Sequence, residues 1–555
     1  MTYSIGIDYG TESGRVLIIN NDNGTIHGSS VIPYSHGVIT ETLPIEDKTP
    51  LQSDYALQYP GDYLDVLYTG IPQAMQKANI SKNELSGIGV DFTSSTMVTT
   101  DTDLEPLCFK PDYINRPHAW VKLWKHHGPN EEAKELFNKA IQEKHEWMRR
   151  YGFNVSPEWL IPKCLETIHD DERLYDEADL FLEAGDWIVS LLTNDVVRSN
   201  CSLGFKAFWN EADGFPEDFL TSMHPKLGQM LHTKLQGRVG KIGECAGTLS
   251  SKMANELGLP PGLAVGVAII DAHSAILGVG ASQSNQLTMV MGTSTCHMML
   301  NNKEIQVPGI SGVVKDGIIP GLYAYEAGQS AVGDLFGWYT EQVPQDFCDE
   351  AKQMNMSVFD LLEKRASQKS PGESGLIALD WHNGNRSVLS DADLTGLLVG
   401  LTFHTKPEDI YRAYLEATAF GAKIIIDNYQ NWGLPIEEIF ACGGLPQKNP
   451  LLMQIYADVL NTDIHVSSSD YAPAIGAAIL GAVAAGYKEG GYNHLEDAVY
   501  NMKQPFQKTY RPIKENVQKY ENMYNMYRQL HDYFGYKHNN FMKQLKSFHE
   551  DAVAN

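Results

Sequence analysis

The chain is 555 residues long, 43% hydrophobic and 20% charged, with 48 glycines and 26 prolines spread through it, a composition that fits a folded protein of two or three domains and excludes disorder or a small stapled fold. Its formal net charge of -26 argues against a nucleic-acid or anionic-membrane partner, which needs a broad Lys/Arg field, so any phosphate must be held locally by turn and helix N–H groups or by a metal ion. Seven cysteines, odd in number, scattered and without a C-x-x-C pair, point to a reducing compartment.

In chain order, Ser4–Asp8 reads as a strand that enters a tight loop, Gly10-Thr11-Glu12-Ser13-Gly14. A second strand, Arg15–Ile19, and a polar hairpin lead to a third, Ile26–Val31. No basic-then-apolar leader precedes these strands, so a cytoplasmic location is expected. A helical stretch over Asp62–Ala78 precedes the strand Gly87–Phe92, and residues 130–195 are mostly helical by pattern. The apolar run Gly262–Gly280 carries Asp271 and His273 and is too polar to span a membrane. After Pro260-Pro261-Gly262 the opening order returns: strand Leu287–Met291, turn Gly292-Thr293-Ser294-Thr295, strand Cys296–Leu300, polar hairpin. The chain therefore reads as a distant duplication, with the join near residues 245–262 and no Pro- or Ser-rich linker. The helix Pro407–Tyr429, the strand Glu438–Cys442, the turn Gly443-Gly444 and the helix Asn449–Asn461 follow, and Lys514–His549 is helical.

Three segments carry chemistry. In Asp8–Gly14, Gly10 lets backbone N–H groups approach a phosphate, Thr11 offers a hydroxyl, and Asp8 is placed to hold a hydrated Mg²⁺. Gly292, Thr293 and Ser294 repeat that chemistry in the second half, and two such turns facing one another would grip a triphosphate from both sides. Either turn alone is equally well an ordinary hairpin. Gly443-Gly444 ends a strand and opens a helix with Asn449 as a candidate N-cap and Pro450 at the first helical position, a junction that admits a flat ring or a phosphate. P-loop, dinucleotide and zincin motifs are absent from the sequence.

These three segments resemble the two phosphate motifs and the adenosine motif of the sugar kinase, chaperone and actin superfamily. Gly396–Leu401, followed by Asp409-Ile410 and Ala413–Glu416, is similar to the signature of the FGGY carbohydrate kinases, with Tyr414 bulkier than that pattern. Gly89–Thr96, Leu123–His127, Ser202–Lys206 and Tyr325–Ser330 resemble the ribulose-phosphorylating branch of that family. The resemblance spans residues 3–510 and implies an α/β protein of two actin-like, ribonuclease H-like lobes, each with a mixed five-stranded sheet flanked by helices, with a cleft between them. The lobes are expected at 1–255, binding mainly sugar, and 256–510, binding mainly nucleotide, with a helical extension at 511–555. It implies ATP and Mg²⁺ as cofactors and transfer of phosphate to the 5-hydroxyl of ribulose, a step of arabinose breakdown. A xylulose or polyol kinase and a non-catalytic ATP-binding module are the alternatives, and a homo-oligomer is compatible with either. Asp271 is the expected base for the sugar hydroxyl, although Asp also favours helix N-caps. Lys206 and Glu326 sit in apolar, glycine-rich surroundings where a charge needs a partner or a polar ligand. With Thr96 and Asp271 they are the expected sugar contacts, a salt bridge between them being the alternative. Gly10, Thr11, Gly292, Thr293, Ser294, Gly443, Gly444 and Asn449 are the expected nucleotide contacts, and Asp8 the metal ligand. Trp124 and His126-His127 read as sugar-facing or as packing residues.

Overall fold

The computed structural model describes residues 1–554. Two mixed sheets dominate it, and both carry the same five-stranded core. In the first, Ile26–Pro33, Ser13–Asn20 and Tyr3–Tyr9 pair antiparallel, and Leu85–Phe92 and Ala264–Gly266 continue in parallel. In the second, Tyr323–Gln329, Thr295–Asn301 and Gln286–Met291 are antiparallel, and Glu438–Cys442 and Ile464–Ser467 follow in parallel. The repeat order is thus 3-2-1-4-5 in each, as the duplicated sequence pattern requires. Each sheet nonetheless has seven strands, not five. Cys245–Thr248 and Ile269–Ile270 extend the first, and Gly312–Lys315 and Phe506–Tyr510 extend the second.

Two segments beyond the expected boundary at residue 255 join the first sheet. Ala264–Gly266 and Ile269–Ile270 lie beyond it yet pair with Leu85–Phe92 of the first sheet. The helix Ala472–Ala485, far along the chain, packs on that same sheet, its residues Ala474, Ile475, Ala478 and Ile479 sharing one apolar core with Ile5, Ile7, Ile88 and Val90. Its composition, apolar on all sides, marks it as buried; only tertiary structure says against what. The approach is close enough that a methyl group on Gly6 would run into the Ala474 carbonyl, and one on Gly89 into the Ala477 carbonyl. Gly89→Ala is therefore expected to cost about 3 kcal/mol, the upper part of the overpacking range, because both obstacles are backbone. A fall in the thermal unfolding midpoint checks it; an unchanged midpoint would mean the helix moves away freely.

Two further parts complete the molecule. A four-stranded sheet, Leu57–Gln58, Val121–Lys122, Met97–Thr100 and Leu180–Glu183, with helices that include Asn130–Gln142 and Leu160–Asp170, builds a separate core beside the first sheet. The C-terminal helix Lys514–Asp532 docks on the second lobe through tyrosine hydroxyls: Tyr520 to Glu416 at 3.0 Å, Tyr524 to Asp427 at 2.6 Å and Tyr527 to Asp380 at 3.0 Å. Tyr414, the bulky departure from the family signature, is buried against Tyr339 and His382.

Candidate active site

The site begins where strands of the first sheet end. Asp8 is the next-to-last residue of Tyr3–Tyr9, and strand pairing sets it between Arg15 on one side and Asp91 on the other. Arg15 donates to Asp8 Oδ2 at 3.1 Å. A side chain at residue 10 would crowd that guanidinium, which is a reason for glycine there. Gln58 donates to the Thr11 carbonyl at 2.7 Å and the Trp124 indole to the Thr11 hydroxyl at 3.0 Å, so Trp124 positions the first turn. Its neighbour His126 is a packing residue, buried and bonded to Glu166 at 2.9 Å.

Asp271 opens the helix Asp271–Gly278 directly after the strand Ile269–Ile270, which pairs with Asp91 and Phe92. The three carboxylates of Asp8, Asp91 and Asp271 thereby gather at one edge. Asp271 accepts a hydrogen bond only from its neighbour Ala272 N, at 2.7 Å among the described residues, and does not serve as the helix cap, a position held by Ile270. Burial, with the charge of Asp8 added, pushes its carboxyl up to about 7. Asp91 is wholly buried and neither of its oxygens has a hydrogen-bond partner. Burial, then the charges of Asp8 and Asp271, hold it well above the usual carboxylate range, and Asp8 is raised by burial against the pull of Arg15. Sequence reading passed over Asp91 as a site residue. The signal was present: an acid between Val90 and Phe92 in an apolar strand has to be neutral, paired or functional.

The second turn is open. Gly292 and Thr293 are exposed, and the loop is braced from behind by Val332 N to Thr293 O at 2.9 Å and Gly333 N to Gly292 O at 3.1 Å. Gly443, at φ +101°, lies so close to Met291, the residue before Gly292, that a methyl group would strike its carbonyl. This contact joins the second turn to the Gly443-Gly444 junction. Beside Gly444 there is open space. Asn449 departs from expectation: it is fully buried, accepts from Leu452 N at 2.8 Å as a helix cap and donates to the Tyr411 hydroxyl at 3.1 Å. Its amide oxygen is taken by the cap, and burial closes its side chain off from the surface beside the glycine junction.

Across the lobes, Lys206 ends the helix Asn200–Lys206 and Glu326 lies in the second-sheet strand Tyr323–Gln329. The ammonium donates to both Glu326 oxygens, at 2.7 and 2.8 Å, with both side chains nearly fully buried. Arg386 reaches Oε1 at 3.2 Å, and His273, two residues beyond Asp271, approaches Oε2 at 3.3 Å. Burial alone would raise Glu326, but Lys206, His273 and Arg386 bring it well below the usual carboxylate range. The pair is thus a salt bridge that ties the helix Asn200–Lys206 to the second sheet, and His273 brings the helix Asp271–Gly278 to the same carboxylate. Arg386 was not legible in the sequence, since it sits in a loop without periodicity. Thr96 also departs from expectation: it is fully buried with its hydroxyl 2.8 Å from that of Thr93, so it shapes the loop and does not face a ligand.

A cation fits the first-lobe edge in one respect: three crowded carboxylates, two of them buried, are stabilised by any positive charge that approaches. The described residues hold no cluster of three or more His, Cys, Asp or Glu with metal-site geometry. That suits a magnesium ion bound mainly by phosphates and water with one or two protein carboxylates.

Residues 287–485 match the model of the FGGY family of carbohydrate kinases, C-terminal domain. A ribulokinase from Staphylococcus aureus (strain Newman) is 52% identical over 547 residues, covering 99% of each chain. Among solved structures, xylulose kinase from Rhodospirillum rubrum superposes with a TM-score of 0.78 at 18% identity, over 97% of this chain and 99% of that one. Plasmodium falciparum glycerol kinase with ADP gives 0.75 at 16% identity, over 95% and 98%. The two-lobed fold, the paired turns and the full-length likeness agree: the chain belongs to the FGGY family of carbohydrate kinases.

Proposed function

We propose that the chain transfers the γ-phosphoryl group of ATP to the 5-hydroxyl of ribulose, giving ribulose 5-phosphate and ADP, as a cytoplasmic step in the use of arabinose. L-ribulose is the first substrate to test and D-ribulose the second. The observation that carries the chemistry is Asp271: a half-buried carboxylate with a free oxygen, near Asp8 of the first turn and joined through His273 to the buried Lys206–Glu326 pair. The sugar rests on the full-length likeness to a ribulokinase.

In this reading the open turn at Gly292, Thr293 and Ser294 and the turn at Gly10 and Thr11 take the phosphates, and Gly443 and Gly444 form the floor under the base. Asp8 would hold Mg²⁺, with Asp271 nearby; the ion supplies charge neutralisation to the phosphates when bound. Asp271 orients the sugar hydroxyl and accepts its proton as the oxygen attacks in line. Lys206, Glu326 and Arg386 present charged donors and acceptors to the ketose. No helix among the described residues is long and apolar enough to cross a membrane. The two lobes divide after Gly278 rather than at residue 255, with Ala472–Ala485 assigned to the first.

ADP release measured with L-ribulose, D-ribulose, xylulose and glycerol tests the proposal. The highest kcat/KM is expected with a ribulose. A higher value with xylulose would move the chain to that substrate, and ATP binding without ADP release on any sugar would favour the non-catalytic ATP-binding reading.

A further inference from the structure

Lys163 is an unusual cation. It lies in the helix Leu160–Asp170, is fully buried, and every hydrogen bond it makes goes to a backbone carbonyl: Ser95 at 2.6 Å, Leu123 at 2.8 Å and Lys122 at 3.4 Å. Its neighbour in space, Lys122, has the ordinary solution, a carboxylate, with Glu166 at 2.5 Å. A buried ammonium without a direct acid partner is costly, so the carbonyl cage needs a reason.

The three carbonyls belong to two segments that both adjoin the first phosphate turn. Ser95 sits in the loop Thr93–Thr96 at φ +55°, a left-handed conformation that a serine adopts at some cost. Thr93 N in that loop donates to the Tyr9 carbonyl at 3.1 Å, beside Gly10. Leu123 precedes Trp124, whose indole holds the Thr11 hydroxyl. One ammonium therefore pins the strained loop and the tryptophan segment to each other, on the first-lobe side of Asp271.

We propose that Lys163 is a positioning residue that holds the Thr93–Thr96 loop and the Leu123–Trp124 segment in one arrangement, and so sets the first phosphate turn at Gly10 and Thr11 and with it the affinity for ATP. It acts through backbone and touches no substrate. The inference rests on the sugar-kinase reading, with phosphate at that turn.

The test compares wild type with Lys163→Met, which keeps length and removes the donors, and Lys163→Arg, which restores them, using the sugar with the highest wild-type kcat/KM. For Lys163→Met the ATP KM is expected to rise about tenfold or more while kcat and the sugar KM stay within about twofold, the pattern of lost uniform binding. Lys163→Arg is expected to recover part of that rise. If Lys163→Met does not fold, Lys163→Gln, which keeps an N–H₂ group at shorter reach, carries the same comparison. An unchanged ATP KM, or equal rises in the sugar and ATP KM values without rescue by arginine, would overturn the proposal and leave Lys163 a general structural residue. A wild type that phosphorylates no sugar would instead defeat the kinase reading itself, and this inference with it.

Discussion

Asp271→Asn is expected to lower kcat by about 10²- to 10⁴-fold, the range that a positioned general base contributes, while leaving a folded protein that binds sugar. The amide preserves shape and can still take the hydrogen bond from Ala272 N through its oxygen. What it cannot do is accept the hydroxyl proton. Two pH experiments distinguish this from a general loss of structure. Because burial and Asp8 push the Asp271 carboxyl up to about 7, the ionised base is the minority form below that pH, and wild-type kcat/KM should fall about tenfold per unit there. The Asn variant should lose this limb. Stability should move the other way. The folded chain keeps this proton to higher pH than the unfolded chain, so ionising Asp271 removes stability as pH rises from the ordinary carboxylate range through about 7. Above that pH the Asn variant, with no buried charge to create, should unfold at a higher temperature than wild type. A variant with near wild-type turnover would show that Asp271 is not the base.

Much of this arrangement was legible in the sequence, and the reasons are specific. The repeated order of strand, glycine turn, strand marked Ser4–Asp8 and Leu287–Met291 as equivalent strands, and the sheets pair them equivalently. An acid after Ile269-Ile270 marked Asp271. Local chemistry also bears on Asn449: a following proline signalled the N-cap that it forms, and the same side chain, bonded to Leu452 N and Tyr411, is buried away from the surface. What stayed illegible depends on residues far apart in the chain. Nothing local says that Ala472–Ala485 lies on Ile88 and Val90, or that Arg386 reaches Glu326. Asp91 is the instructive case, because its strand was recognised and only its meaning was passed over. A register that sets it opposite Asp8 turns an odd residue in a strand into one of three interacting acids.

The Lys206–Glu326 pair should be the most sensitive point at which stability and lobe geometry meet, and its two ends are not equivalent. Glu326 is the carboxylate that Lys206, Arg386 and His273 share, while Glu158 adds its charge to Arg386. Glu326→Gln, nearly isosteric, leaves the buried ammonium without its counter-charge, and breaking a buried pair in this way costs about 3–5 kcal/mol. Lys206→Met should cost less, since Arg386 and His273 still face the carboxylate. The double variant Lys206→Met/Glu326→Leu should cost less than the sum of the two losses, because no charge of the pair is then left unpartnered. The pH dependence has a definite sign. The folded Glu326 carboxyl is held below its unfolded value, so its contribution is fully present above the ordinary glutamate range and is lost as pH falls into acid. The stability gap between wild type and Glu326→Gln should therefore be constant from pH 6 to pH 8 and close in acid. Activity separates packing from function: the double variant should regain stability without regaining sugar affinity, since apolar side chains fill the space but offer a ketose no charged donor or acceptor. Recovery of both together would reduce the pair to a structural clamp between the lobes.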